Sequence, residues 1–177
     1  MQRLELKKQY EVITEKDIEK FEQKYSIKFP DDYKIFLINN RGKIPTKECG
    51  YRIQGDDIYI AKDGIIVLMA FMYNIGKDIP KEDTIEWQRE CSDAYIPTRF
   101  FPIADNSGGD MFCINLQEND DYGSIYFVVH DAYHEDEDVY WVKGDIDKTG
   151  CNDMNGVYKL ADSFTEFVGK LEPIPEE

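Results

Sequence analysis

The sequence predicts an α+β fold: a mostly antiparallel β-sheet with two N-terminal helices and one C-terminal helix packed against it. Three observations carry that prediction. Apolar residues recur at helical spacing in two short stretches near the start and in one near the end. Between them the pattern changes to short β-prone runs separated by Gly, Asp and Asn. The clearest of these is Phe100-Phe101-Pro102-Ile103-Ala104, followed by the turn residues Asp105-Asn106-Ser107-Gly108-Gly109 and a second apolar run from Met111 to Ile114. Glycine accepts positive φ, and Asp and Asn fold their side chains back on the backbone, so this stretch reads as a hairpin. Ser124 to Val129 extends it into a three-stranded meander.

Taken in order, Thr14 is placed to cap the first helix, with Ile13 and Ile18 as a hydrophobic staple and Glu15 and Asp17 in the first turn, where the helix dipole favours negative charge. Ile18, Phe21 and Tyr25 share one face; Glu19, Lys20, Glu22, Gln23 and Lys24 are expected in water. Ile27-Lys28-Phe29-Pro30 breaks this helix, because the residue before a proline resists helical geometry. Asp31 and Asp32 open a second helix, with Tyr33, Phe36, Leu37 and Asn40 on one face and Gly42 as its stop. Tyr51-Arg52-Ile53 and Ile58-Tyr59-Ile60 read as short strands around Gly55-Asp56-Asp57. The uninterrupted apolar run Ile65 to Phe71 predicts a central strand. Thr84 to Ala94 predicts a short helix with Ile85, Gln88 and Cys91 inward. After the meander comes a polar segment, Asp131 to Asn155, broken by Val139-Tyr140-Trp141-Val142. The last helix is predicted over Leu160 to Leu171: Ser163 and Glu166 have capping-box spacing, and Leu160, Phe164, Phe167, Val168 and Leu171 form an apolar stripe. Pro173 to Glu177 is expected to fray. The whole reads as one domain, 1–177, with its core over about 14–171 and an acidic insertion over about 131–155.

Composition bounds the function. With 42% hydrophobic and 14% aromatic residues, the chain can bury a core rather than stay disordered. Its net charge of −15 disfavours nucleic acid and anionic membrane as direct partners, since both are polyanions. The charge suits a basic partner; solubility alone accounts for it equally. No stretch approaches the ~20 apolar residues of a membrane span, and Met1 to Glu11 lacks the apolar core of a secretion signal, so the expected location is cytoplasmic. The four cysteines, Cys49, Cys91, Cys113 and Cys151, form no Cys-x-x-Cys pair, so they read as reduced thiols, with Cys113 a small core residue.

No residue set points to catalysis, a metal or a cofactor. His130 and His134 lie four apart, but Asp131 stands where a zinc-protease motif needs glutamate, and the pair follows a strand. Asp145-Ile146-Asp147-Lys148-Thr149-Gly150 resembles the start of a calcium loop, yet Gly156 occupies the position of the bidentate glutamate; a turn accounts for the same residues. Gly108 and Gly109 are not followed by the Lys and Ser/Thr of a phosphate loop. The residues singled out for binding a partner are the acidic run Glu135, Asp136, Glu137 and Asp138, its neighbouring aromatics Tyr133, Tyr140 and Trp141, and the acidic pair Asp56 and Asp57. Clustered acids attract a basic protein over long range, and exposed aromatics anchor interfaces; a solvated loop with buried aromatics is the competing reading.

Several stretches occur together in a known order: Phe29-Pro30-Asp31-Asp32-Tyr33, Asn40-Arg41-Gly42, Phe101-Pro102-Ile103-Ala104 with Ser107-Gly108-Gly109-Asp110-Met111, Ser124-Ile125-Tyr126-Phe127 with His130-Asp131, and Leu160-Ala161-Asp162-Ser163-Phe164. In this the chain resembles the SUKH superfamily over about Thr14 to Leu171. It departs from that pattern in its long acidic insertion and at Arg41, where asparagine or glycine is common. Each shared motif also has a structural explanation: Pro30 and Tyr33 with Gly42 punctuate the helices, Gly108, Gly109 and Asp110 turn a hairpin, and Ser163 and Phe164 cap and anchor the last helix. The resemblance implies a non-enzymatic binding protein. Bacterial members resemble immunity proteins that neutralise toxins, often nucleases. Others, such as the yeast cell-wall assembly and glucan-synthesis regulators, resemble intracellular scaffolds. A protein toxin of basic character is therefore the expected partner, a regulatory scaffold the alternative, and a metal-dependent hydrolase using His130 and His134 the third possibility.

Overall fold

A computed structural model describes residues 6–7, 13–40, 44–45, 49–52, 65–68, 70–71, 75, 81, 84–91, 96, 99–106, 108–118, 120–130, 151–152 and 157–174. Every strand pairing among them is antiparallel, and the fold is α+β as the sequence predicts. The first helix, α1 (Glu15–Tyr25), opens on the expected cap: the Asp17 amide donates to Thr14 Oγ1, and the Thr14 amide donates to Asp17 Oδ2. It ends at Ser26, a left-handed residue with φ of 54°. Pro30 precedes α2 (Asp31–Asn40), and its carbonyl accepts the first helical bond from the Lys34 amide. Tyr33 and Leu37 of α2 are buried, whereas Ile35 is exposed.

Six strands form the larger sheet in the order β5-β6-β7-β8-β10-β9: β5 (Ala70–Phe71), β6 (Phe100–Asp105), β7 (Met111–Asn115), β8 (Ile125–Val128), β9 (Cys151–Asn152) and β10 (Val157–Ala161). The predicted meander is β6-β7-β8. Its β6–β7 register shifts between Pro102 and Ala104, which accommodates a proline that has no amide to give to the ladder. A smaller sheet runs β11-β3-β4, from β3 (Cys49–Arg52), β4 (Ile65–Leu68) and β11 (Leu171–Pro173). A separate pair joins β1 (Leu6–Lys7) to β2 (Ile44–Pro45).

Four expectations are corrected. The run Ile65 to Phe71 is not a central strand: it divides into β4 and β5, which lie at the edges of two different sheets among the described residues. An apolar run reports burial, not the number of neighbouring strands; the central strands are β7 and β8, whose residues are all buried. The last helix, α4, is shorter than predicted, Phe164–Lys170, because Leu160 and Ala161 belong to β10. Of the tail expected to fray, Pro173 to Glu177, the first residue instead pairs with Cys49 of β3 as the end of β11, and 175–177 lie outside the described residues. In α3 (Ile85–Cys91) the inward polar residue is Arg89, while Cys91 is exposed. The Arg89 guanidinium lies 5.9 Å from the Phe101 ring, and Nη1 donates to the Ile96 carbonyl.

Aromatic rings join the layers. Phe21, Phe29 and Phe101 meet within 5.6–6.5 Å between ring centroids, docking the α1–α2 corner on β6. Phe164 of α4 packs 4.9 Å from Tyr33 of α2. Phe167 touches both sheets, stacked 5.5 Å from Tyr51 of β3 and tilted 5.6 Å from Phe112 of β7. The Tyr51 hydroxyl donates to the Leu160 carbonyl, a second tie between the sheets.

Candidate protein-binding groove

Several residues of the shared motifs make hydrogen bonds within turns or between elements. Asp32 is shared between two helices: Oδ1 accepts from the Tyr33 amide at 2.9 Å, and Oδ2 accepts from the Thr165 amide of α4 at 2.9 Å. Ser163 Oγ caps the Glu166 amide, and Glu166 Oε2 accepts from the Asp162 amide, so the exposed amides at the start of α4 find acceptors. At the β6–β7 turn, Asn106 Oδ1 accepts from the Gly108 and Asp110 amides, and Gly109 adopts φ of +90°, which a side chain would strain. Asp110 Oδ1 accepts from the His130 amide and lies 2.8 Å from His130 Nδ1, while Oδ2 accepts from Asn106 Nδ2. Asp110 thus ties the hairpin to the end of β8, and His130 is engaged in that tie. Gly42 lies outside the described residues.

The same logic builds a groove on the other side of the hairpins. Asn115 is 1% exposed and folds the β7–β8 turn: its Nδ2 donates to the Asp121 carbonyl and its Oδ1 accepts from the Gln117 amide. The turn then presses on the α1–α2 corner. Gly123 has φ of +86°, and a Cβ there would lie 3.1 Å from Pro30 Cγ. The Tyr122 hydroxyl donates to the Lys28 carbonyl at 2.9 Å. Between turn and corner lies an open groove of about 740 Å³, whose lining includes Glu19, Glu22, Ile27, Lys28, Leu116, Glu118 and Tyr122.

Glu22 forms its floor. The sequence pattern places this residue in water, yet it is 4% exposed. The reason is local: Oε1 accepts from the Phe29 amide at 2.8 Å, a donor left free where Pro30 breaks the helix, and Lys34 Nζ is 3.8 Å from the same oxygen. Oε2 lies 3.4 Å from Lys28 Nζ. Partial burial pushes the Tyr122 hydroxyl above its ordinary range, the positive charge of Lys34 pulls it back, and the carboxylates of Glu22, Asp31 and Glu118 raise it further; it remains a protonated donor at neutral pH. Acceptors at the floor and rim beside an aromatic face suit a cationic side chain.

The binding residues singled out from sequence, Asp56, Asp57, Tyr133, Glu135, Asp136, Glu137, Asp138, Tyr140 and Trp141, all lie outside the described residues, as do His134 and the calcium-like stretch from Asp145. The groove carries the same acidic and aromatic character. Its signal was present in Glu118-Asn119-Asp120-Asp121-Tyr122, acids beside an aromatic in a turn. Among the described residues no group of three or more His, Cys, Asp or Glu side chains could hold a metal ion, and no helix is long and apolar enough to cross a membrane.

Fold and groove together define an α+β domain whose distinctive residues hold layers together and leave an acceptor-rich surface. Residues 12–170 match the SMI1 / KNR4 family (SUKH-1), and the chain belongs to that family. The family is generally non-catalytic and fits either an immunity or a regulatory reading. No curated protein matches the sequence.

Proposed function

We propose that the chain is a non-enzymatic protein-binding module, a cytoplasmic immunity protein that neutralises a basic toxin, such as a nuclease, by covering its working face. The observation that carries this reading is the net charge of −15 on a member of the SUKH-1 family. A toxin that acts on a polyanion presents positive charge, and complementary charge speeds encounter, toward about 10⁸–10⁹ M⁻¹s⁻¹ at low salt. The groove beside Tyr122 supports it, and the stretch over 131–141 has the acidic and aromatic composition that such binding calls for. The test is co-purification with the product of a neighbouring toxin gene, followed by association rates across a salt series. A stoichiometric complex whose on-rate falls steeply with salt supports the reading. Failure of every neighbouring toxin to bind, with growth protection absent on co-expression, refutes it. Family membership equally suits a regulatory scaffold, which predicts several cellular partners and no protection.

A further inference from the structure

We propose that the groove between α1 and the β7–β8 turn is a receptor for an arginine side chain of the partner, which displaces Lys28 from the buried Glu22 carboxylate. This rests on the protein-binding reading above and names the chemistry that one surface recognises.

The two oxygens of Glu22 are unevenly satisfied. A carboxylate that is 4% exposed needs donors on both oxygens. Oε1 is committed to the Phe29 amide at 2.8 Å. Oε2 faces Lys28 Nζ at 3.4 Å, well beyond the ~2.7–2.9 Å of a good charge-assisted bond. The Lys28 side chain is 71% exposed, so holding it there costs rotamer freedom for little return. Lys34 is no substitute: it sits nearer Asp31, at 2.9 Å, than Glu22, at 3.8 Å. Oε2 therefore depends on a 3.4 Å contact with an exposed, displaceable lysine.

Arginine fits the vacated position better than lysine. Its planar guanidinium carries five donors, enough to reach Oε2 while meeting a rim carboxylate, and it is less strongly hydrated than an ammonium when partly buried. Glu19 and Glu118 provide those carboxylates. Tyr122, whose hydroxyl is anchored on the Lys28 carbonyl, offers a ring held in place for the guanidinium plane. Ile27 and Leu116 can cover the methylene stem.

The probes are Nα-acetyl-arginine amide, the lysine amide and the uncharged citrulline amide, titrated into the isotope-labelled full chain while amide shifts are followed. Saturable shifts at Phe29, Glu118 and Tyr122 are expected, tighter for arginine than lysine and absent for citrulline. Lys28→Ala should tighten arginine binding by up to about fivefold, the worth of an exposed ion pair, because the internal competitor is gone. Glu19→Lys with Glu118→Lys should weaken it at least about tenfold. Glu22→Gln is unsuitable as the sole test because it also loosens the Phe29 corner; Lys28→Ala leaves that corner intact. Shifts that do not saturate, that citrulline reproduces, or that Lys28→Ala leaves unchanged overturn the proposal. A neighbouring toxin that binds the Glu19→Lys, Glu118→Lys chain as tightly as the native one sinks the groove and leaves the proposed function standing. Arginine-selective binding in the groove with no toxin partner does the reverse.

Discussion

Replacing Tyr33 by phenylalanine should stabilise this protein. Tyr33 is 0% exposed, its ring lies 5.3 Å from Phe29 and 4.9 Å from Phe164, and its hydroxyl has no hydrogen-bond partner among the described residues. Burying an unpaired hydroxyl costs about 1–3 kcal/mol by mutational measures. Removing one oxygen leaves a void of about 15 Å³, smaller than a water, which costs about 0.4 kcal/mol at ~24 cal/mol per Å³. The balance favours Tyr33→Phe by about 1 kcal/mol, a rise in Tm of about 2–4 °C for a chain of this size. Alkaline pH provides an independent check. Burial pushes the Tyr33 hydroxyl far above its ordinary range, whereas in the unfolded chain it ionises near pH 10. Above that pH the unfolded state binds fewer protons than the folded one, so the native protein loses stability as pH rises, by about 1 kcal/mol at pH 11 from this group alone. The phenylalanine variant lacks that loss, so its advantage should widen from about 1 kcal/mol at pH 7 to about 2 kcal/mol at pH 11. Urea unfolding of both proteins at the two pH values measures it. A variant less stable than the parent at pH 7, with a gap that stays constant to pH 11, would refute the reasoning and place a hydrogen-bond partner, such as a buried water, on the hydroxyl.

Three further outcomes follow from the same contacts. Asp32→Ala removes acceptors from the Tyr33 and Thr165 amides at once and should cost about 1–3 kcal/mol, with faster hydrogen exchange at Thr165 than at the centre of α1. Burial pushes the Cys49 thiol up to about 11 and the Cys113 thiol higher still, while Cys91 is exposed, so a thiol reagent at pH 8 should modify Cys91 first and reach Cys113 only on unfolding; native-state labelling of Cys113 would contradict its place in β7. The hydrogen bond from Lys170, and then the bond from the Asp162 amide, hold the Glu166 carboxyl below its usual range, so its contribution is present above about pH 4.3 and lost as pH falls through the lowered value. Glu166→Gln should therefore flatten that part of the acid limb by no more than about 1 kcal/mol, since the pair is partly solvated, as read by thermal unfolding between pH 5 and pH 2.

The parts of the fold legible in the sequence are those fixed by contacts within a few residues. Thr14 and Asp17 cap each other across three positions, and the Asn106 to Asp110 turn closes on its own side chains, so pattern and outcome agree. What the sequence hid is set by partners far along the chain. Glu22 reads as a water-facing helical residue because the donor that buries it, the Phe29 amide, becomes available only where the helix breaks. The run Ile65 to Phe71 is apolar throughout, but which sheet each half joins depends on β3 and β6, and nothing in the run encodes its division into two strands. Leu160 fits the stripe of the last helix and also a strand; pairing of β10 with β8 decides it. The groove was legible only as composition, acids beside Tyr122 in a turn; its walls come from elements 90 residues and more apart, joined by the Tyr122–Lys28 bond over a separation of 94.

This division bears on how partner choice would be encoded. Asp32, Asp110, Ser163 and Phe164 are committed to contacts that the fold itself requires, and each would carry a stability cost if it changed. The groove rim is different: Glu19 and Glu118 are exposed, and charge reversal at an exposed position usually moves stability by less than about 0.5 kcal/mol. The floor cannot drift in the same way, because Glu22 also closes the α1–α2 corner. A binding family built like this would keep one buried acceptor for a cationic anchor and vary the rim to select which cation-bearing surface docks. If the groove binds as proposed, affinity would reside mainly at Glu22 and discrimination at Glu19 and Glu118, so that the rim substitutions, and not the floor, would separate recognition from folding.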